Sequence, residues 1–194
     1  MAKISTYSVV PSPADLMDMV IGTNVNNNNE TENFELSQIL SLYPQITQKA
    51  TLLSSVDQSA PINTPTIVTF NTINIATTGL TALPSGGPTY TGVQIGNGGY
   101  YLVEFTATVL CAGAGGEFSA WAKINSSNIG PAHVLTPLGG GYNTVTFSWI
   151  YNFTAADILS IAWQTSVLNI SLDSIAAGVA RPIVPSAQLI ISQV

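Results

Sequence analysis

From about residue 57 onward the chain is a succession of short β-branched and aromatic runs, and nothing between them has a helical period. PTIVTFNTINI (65–75), TYTGVQIG (89–96), GYYLVEFTATVLC (99–111), EFSAWAKIN (117–125), NTVTFSWIYNFT (143–154), DILSIAWQTS (157–166), LNISLDSI (168–175) and AQLIISQV (187–194) follow one another. The segments between them are turn formers: LPSGGP, GNGG, GAGG, NSSN and TPLGGG. A parallel pair needs a crossover of a dozen or more residues, usually a helix, and these connections offer none. The predicted fold class is therefore all-β, an antiparallel sandwich or jelly roll.

One run limits the architecture further. In GYYLVEFTATVLC one parity is wholly apolar: Tyr101, Val103, Phe105, Ala107 and Val109. That is the core side of a half-buried strand. The other parity is Tyr100, Leu102, Glu104, Thr106, Thr108 and Leu110, which is neither an ordinary wet face nor a second core. A face of that mixture needs a covering surface.

Composition points the same way. Only 7% of the 194 residues are charged, against about 25% in an ordinary soluble domain. A chain so poor in charge keeps itself wet with Ser, Thr, Asn and Gly, or hides surface in an oligomer. No apolar run reaches the roughly 18 residues of a membrane span, so no membrane partner is expected. The start, MAKISTYSVVPSP, shows no apolar h-region, and no secretory signal is expected. Ten acids stand against four scattered bases, Lys3, Lys49, Lys123 and Arg181, which leaves no basic footprint for nucleic acid. Cys111 is the single cysteine, so it reads as a small buried hydrophobe in a strand.

Three regions separate along the chain. Residues 1–33 contain PSPADL and NVNNNNETEN, a composition that cannot bury enough to fold alone, and read as an extended docking arm. Residues 34–55 read as a short helix and linker: Phe34, Ile39 or Leu40, Tyr43 and Ile46 recur at helical spacing, Asn33 is an N-cap candidate, and Pro44 ends the helix near Tyr43. Residues 56–194 form the β head.

Chemistry has few places to reside. A nucleophilic triad or dyad would have to use His133, the lone histidine, in a Gly-flanked loop or short strand. The carboxylates of the β region, Asp57, Glu104, Glu117, Asp157 and Asp173, are not paired at metal-ligand spacing, and none is singled out for glycoside chemistry. GAGGE (113–117) opens no helix pattern and reads as a connection rather than a phosphate nest. The sequons at Asn29, Asn125, Asn152 and Asn169 are what an Asn-, Ser- and Thr-rich chain contains by chance. No catalytic residue, cofactor or metal is predicted.

In their order and spacing, G-Y-Y-L-V-E-F-T-A (99–107), W-A-K-I-N (121–125), A-D-I-L-S-I-A-W (156–163) and the ending P-S-A-Q-L-I-I-S-Q-V (185–194) make residues 65–194 resemble the jelly-roll head of the tumour-necrosis-factor and complement C-one-q proteins, in particular its versions in tailed-phage structural proteins. The family often has Gly-Asp where this chain has Ala156-Asp157, and Asn-Gly where it has Asn125-Ser126; both departures fall in turns. The N-terminal region resembles the leading segment of phage virion proteins, with Asp18, Ile21, Gly22 and Thr23 fitting a D-x-x-I-G-T stretch and Asn33, Phe34 and Leu36 an N-F-x-L helix. In such proteins this segment tethers the chain to the virion.

Heads of this family are trimers. The resemblance implies that Tyr101, Val103 and Phe105 fill the protomer core while Leu102, Glu104 and Thr106 face the three-fold axis. On the strand NTVTFSWIYNF it implies Phe147, Trp149, Tyr151 and Phe153 inward, with Thr146, Ser148 and Ile150 toward the axis. Glu104 has two readings. It lies at a watered end of the interface, or it forms a carboxylate ring that makes the assembly sensitive to mildly acidic pH.

The function implied is that of a non-enzymatic virion structural protein on the phage particle surface, homotrimeric, decorating or cementing the capsid or forming a head fibre. Its arm would dock on the major capsid protein or another virion protein. The first alternative is a tail fibre that recognises a host surface glycan through LPSGGP (83–88), GAGG (113–116) and TPLGGG (136–141). The other is a polysaccharide-cleaving enzyme on the same fold.

Overall fold

The structure, a computed structural model, describes residues 19–24, 30–35, 48–75, 79–113, 115–179 and 181–194. The chain divides into two units, Met1–Gln45 and Ile46–Val194. In the first, β1 (Met19–Asn24) and β2 (Glu30–Glu35) make an antiparallel ribbon, in register from Met19 opposite Glu35 to Asn24 opposite Glu30.

The second unit contains β3 (Lys49–Ser54), β4 (Thr66–Ile67), β5 (Thr72–Ile75), β6 (Leu80–Leu83), β7 (Gly92–Ile95), β8 (Gly99–Cys111) and β9 (Phe118–Ile124). They are followed by β10 (Ser127–Leu135), β11 (Gly141–Phe153), β12 (Ile158–Thr165), β13 (Ile170–Leu172) and β14 (Ala187–Gln193). One sheet runs β11-β8-β14-β3-β5, with β13 paired to the far end of β8; the other runs β10-β9-β12-β7-β6, with β4 on β12. Eight of these strands pair as nested hairpins: β9 with β10, β8 with β11, β7 with β12 and β3 with β14, all antiparallel. A long hairpin rolled up in this manner, its successive pairs falling alternately in two sheets, is a jelly roll. The all-β antiparallel jelly-roll sandwich expected from the sequence is the fold observed.

The core lies between the sheets. Tyr101, Val103, Phe105, Ala107 and Val109 of β8 are all fully buried, as the alternation requires. They meet Phe118, Ala120 and Ala122 of β9 and Leu159, Ile161 and Trp163 of β12 in one cluster. Phe105 packs on Phe147 at 5.2 Å and Phe118 on Trp163 at 5.8 Å between ring centroids. Each large side chain so buried contributes about 1.5–3 kcal/mol by removing apolar surface from water. Cys111 is buried as expected, its thiol 3.0 Å from the Gly113 carbonyl.

The structure corrects the reading of 34–55. Phe34 and Glu35 close β2, and Asn33, expected to cap a helix, pairs with Ile21. Ile39, Leu40, Tyr43, Pro44 and Ile46 lie outside the described residues. Residues 49–54, read as linker, are β3, an inner strand between β14 and β5. KATLLS has a period of two: Ala50, Leu52 and Ser54 are buried while Lys49, Thr51 and Leu53 are not. Six residues are too few for that alternation to stand out beside a competing helical pattern. The β head thus starts before residue 56.

Gln48, just ahead of β3, is buried beside the Tyr101 hydroxyl, which lies 2.7 Å from the Gln48 side-chain amide and 2.8 Å from the Asn97 carbonyl. One phenolic proton serves one acceptor. A complete pairing has the Tyr101 hydroxyl donating to Asn97 while the Gln48 amide turns its NH2 toward the phenol oxygen. Gly79 makes this possible, since a Cβ there would come within 2.6 Å of the Gln48 side chain.

Candidate functional site

The outward face of the first sheet is the surface whose sequence asked for a cover. The register builds it in rows. Ile150 of β11 lies opposite Leu102 of β8, which lies opposite Ser192 of β14. The next row is Ser148, Glu104, Ile190 and Thr51; the one after is Thr146, Thr106, Gln188 and Leu53. All six residues assigned to the axis, Leu102, Glu104, Thr106, Thr146, Ser148 and Ile150, therefore come together in three consecutive rows on one face.

Their exposure grades across the sheet. Leu102, Glu104 and Thr106 are half-buried by neighbouring strands, whereas Thr146, Ser148 and Ile150 are exposed because β11 ends the sheet. Ile150 is 61% exposed. Thr106 and Thr146 share one hydrogen bond, with their hydroxyls 3.1 Å apart. Glu104 occupies the middle row, between Ser148 and Ile190, and not an end of the patch. Five of the face residues were missed from sequence: Thr51 and Leu53 of β3, which was read as linker, and Gln188, Ile190 and Ser192 of β14. The signal for the β14 residues is the alternation in AQLIISQ, where Ala187, Leu189 and Ile191 are buried and the others are half-buried. Placing these three beside β8 required the β8–β14 pairing, which joins segments about eighty residues apart.

The face continues around an edge. β11 closes one sheet and β10 the other, and an apolar groove of about 290 Å³ opens between them. It forms because β10 bulges. Ile129 pairs with Ala122 and His133 with Ala120, so residues 130–132 stand against Trp121 alone, and Gly130 takes φ of 65° at the bend. His133 stacks flat on Phe147, centroids 4.1 Å apart and planes 1° from parallel, and Trp149 continues the stack 5.4 Å beyond. The buried Trp149 Nε1 finds no acceptor among the described residues. Ile150 lines this groove as well as the face.

One inward assignment is corrected here. Phe147 and Phe153 are buried and Trp149 is half-buried, but Tyr151 is 36% exposed and lies at the groove. Phe153 fills the core beneath it, edge-on to both Tyr151 at 5.0 Å and Tyr101 at 5.6 Å. Beyond the end of a sheet the parity of an edge strand does not guarantee a lid, and β10 bulges away there.

Two of the candidate carboxylates, Asp57 and Asp157, hold local structure. Asp57 accepts from the Ser174 backbone N–H at 2.8 Å and its hydroxyl at 2.9 Å. Asp157 accepts from Thr154 N–H at 2.8 Å and Asn125 Nδ2 at 2.7 Å. Among the described residues there is no group of three or more His, Cys, Asp or Glu positioned for a metal, and no helix long and apolar enough to cross a membrane. Of the docking residues, Ile21, Gly22 and Thr23 lie in β1 and Phe34 in β2, with Ile21 opposite Asn33 and Val20 opposite Phe34. Asp18 and Leu36 lie outside the described residues.

No family model and no curated protein matches the chain. Two crystal structures of murine APRIL align with it, one at pH 5.0 with a TM-score of 0.45 and 9% identity, one at pH 8.0 with a TM-score of 0.44 and 12% identity. Each alignment covers 76% of this chain and 98% of the other.

Proposed function

We propose that this chain is a non-enzymatic structural protein of a phage virion, a homotrimer that decorates or cements the capsid or forms a head fibre. The observation that carries the trimer is the gathering of Leu102, Glu104, Thr106, Thr146, Ser148 and Ile150 on one face that runs without a break into the unprotected edge of β11. A thirteen-residue edge strand bearing exposed Tyr142 and Ile150 is a pairing hazard for a monomer. Covering it removes the hazard.

Symmetry says how. A ring of three closes through a heterologous contact, in which one patch meets a different patch on the next copy. The face of β8 and β14 is one such patch and the β10–β11 edge with its aromatic groove is the other. Ile150 belongs to both, so three copies arranged in this manner bury one continuous surface. The work of the protein is then done by shape-complementary burial. The virion role and the docking of the N-terminal unit on the major capsid protein or another virion protein rest on the sequence resemblance.

Copy number tests the reading: quantitative mass spectrometry of purified particles against the major capsid protein, alongside sedimentation of the isolated chain. Dozens to hundreds of copies in multiples of three, with a trimer in solution, are expected. A handful of copies would move the chain to the tail, and absence from the particle would end the virion reading.

A further inference from the structure

The second sheet also has an outward face, and its shape is unlike that of the first. Two depressions lie along it in succession, one of about 360 Å³ and one of about 480 Å³. They follow the paired strands β9 and β12. The first is walled by Ser119 and Gln164, opposite each other in register; the second by Lys123 and Ser160, also opposite each other. The row between them is Trp121 and Ala162. Four residues of strand separate the two centres, roughly 13 Å at the rise of a β-strand.

Between the large outward residues Trp121, Lys123 and Gln164 the sheet is hollow because Ser119, Ser160 and Ala162 are small. Ala162 is fully buried beneath the face and Ser119 nearly so. Gly92 lines the second depression where a Cβ would press within 2.6 Å of the Leu159 carbonyl. Trp121 forms a floor for the first, its Nε1 donating to Asn128 Oδ1 at 2.9 Å, which leaves the Asn128 NH2 group to donate elsewhere.

The wall chemistry selects the ligand. The linings are mostly apolar, with Pro65, Trp121 and Ala132 in the first and Ile67, Leu83 and Ile158 in the second. The Gln164 and Asn128 amides and the Ser160 hydroxyl are set among them, a mixture that suits the faces and hydroxyls of a sugar ring. Each depression is of a size for one or two rings. The second adds a cation: Lys123 is half-buried there, and no ion pair joins it to a carboxylate among the described residues. Its ammonium at that position favours an anionic group, through a charge-assisted hydrogen bond. We propose that this groove binds a short oligosaccharide carrying a carboxylated sugar, with the carboxylate at Lys123 and neutral ring hydroxyls at Gln164 and Asn128. This goes beyond the trimer reading: the groove follows the outward face of the second sheet and borders the proposed trimer edge at Gly130, which lines both.

The test is a titration of the intact chain, followed by backbone NMR and calorimetry, with three probes: trigalacturonate, a neutral galactose trisaccharide and triglutamate. Trigalacturonate is expected to bind and to shift the amides of β9 and β12, with the neutral trisaccharide weaker by about tenfold. Lys123→Ala should remove that difference without changing the melting temperature. Gln164→Ala should weaken both sugars by a similar factor. No binding of either sugar would overturn the proposal, as would equal binding of both. Unchanged affinity in both variants would move the site elsewhere, and triglutamate binding as tightly as trigalacturonate would make this an acidic-peptide site.

Discussion

The hydroxyls of Thr106 and Thr146 lie 3.1 Å apart across the β8–β11 pair, each on the outward face of the sheet and each the other's partner. Two hydroxyls bonded to each other lose less when water is taken from them than two left unpaired, so this row of the face can be covered at reduced desolvation cost.

A double-mutant cycle follows from that pair. Thr106→Val or Thr146→Val alone leaves one hydroxyl unpaired inside the proposed interface and should destabilise the trimer by about 1 kcal/mol per protomer. The double variant should recover most of the loss. Chemical denaturation of the four proteins reads the coupling; additive and negligible effects would mean that the face stays wet.

Ile150→Lys should dissociate the assembly while leaving the protomer folded, because the side chain is 61% exposed in the protomer and belongs to both proposed patches. Sedimentation velocity gives the mass and circular dichroism the fold. A variant that remains trimeric would exclude this face.

Glu104 sits mid-patch, so the proposed trimer would bring three carboxylates toward one axis. Glu104→Gln should raise the melting temperature of the trimer, and added salt should raise that of the parent but not of the variant. Equal salt responses would place the carboxylates far apart.

Burial pushes the Tyr101 hydroxyl above its ordinary value near 10. The folded state therefore resists ionisation that the unfolded chain undergoes freely. The stabilisation is complete below about pH 10 and is lost as pH rises through the raised folded value. Tyr101→Phe should lack this alkaline component. At neutral pH it should cost about 1–2 kcal/mol by stranding the Gln48 amide. Thermal melts of both proteins from neutral to alkaline pH measure the two effects together.

Two turns carry residues with a Cβ at left-handed backbone positions. Ala156 has φ of 75°, and Asn125 and Ser126, the two-residue connection of β9 to β10, have φ of 49° and 71°. Those two positive angles are those of a type I′ hairpin turn, which Asn-Gly suits best. The left-handed region costs a residue with a Cβ roughly 1 kcal/mol relative to glycine. Ser126→Gly and Ala156→Gly should each stabilise the fold by about 0.5–1 kcal/mol, additively in denaturant melts.

Sequence by itself determined the class of this fold and the inward side of its principal strand. Period-two alternation is local: each residue of β8 reports its own side, and all five apolar positions proved fully buried. The same locality made the outward face of β8 legible as a surface in want of a cover. What only the tertiary structure decided is everything that depends on pairing between distant segments. The β8–β14 register brings Ile190 beside Glu104, and the β10 bulge leaves Tyr151 at a groove instead of in the core. The hollows along β9 and β12 exist because Ser119, Ser160 and Ala162, small residues from separate runs, fall on one face among Trp121, Lys123 and Gln164. Six residues of β3 read as linker because a strand that short carries too few turns of its pattern to be told apart. Local sequence sets which way a side chain points, and long-range pairing sets what it meets.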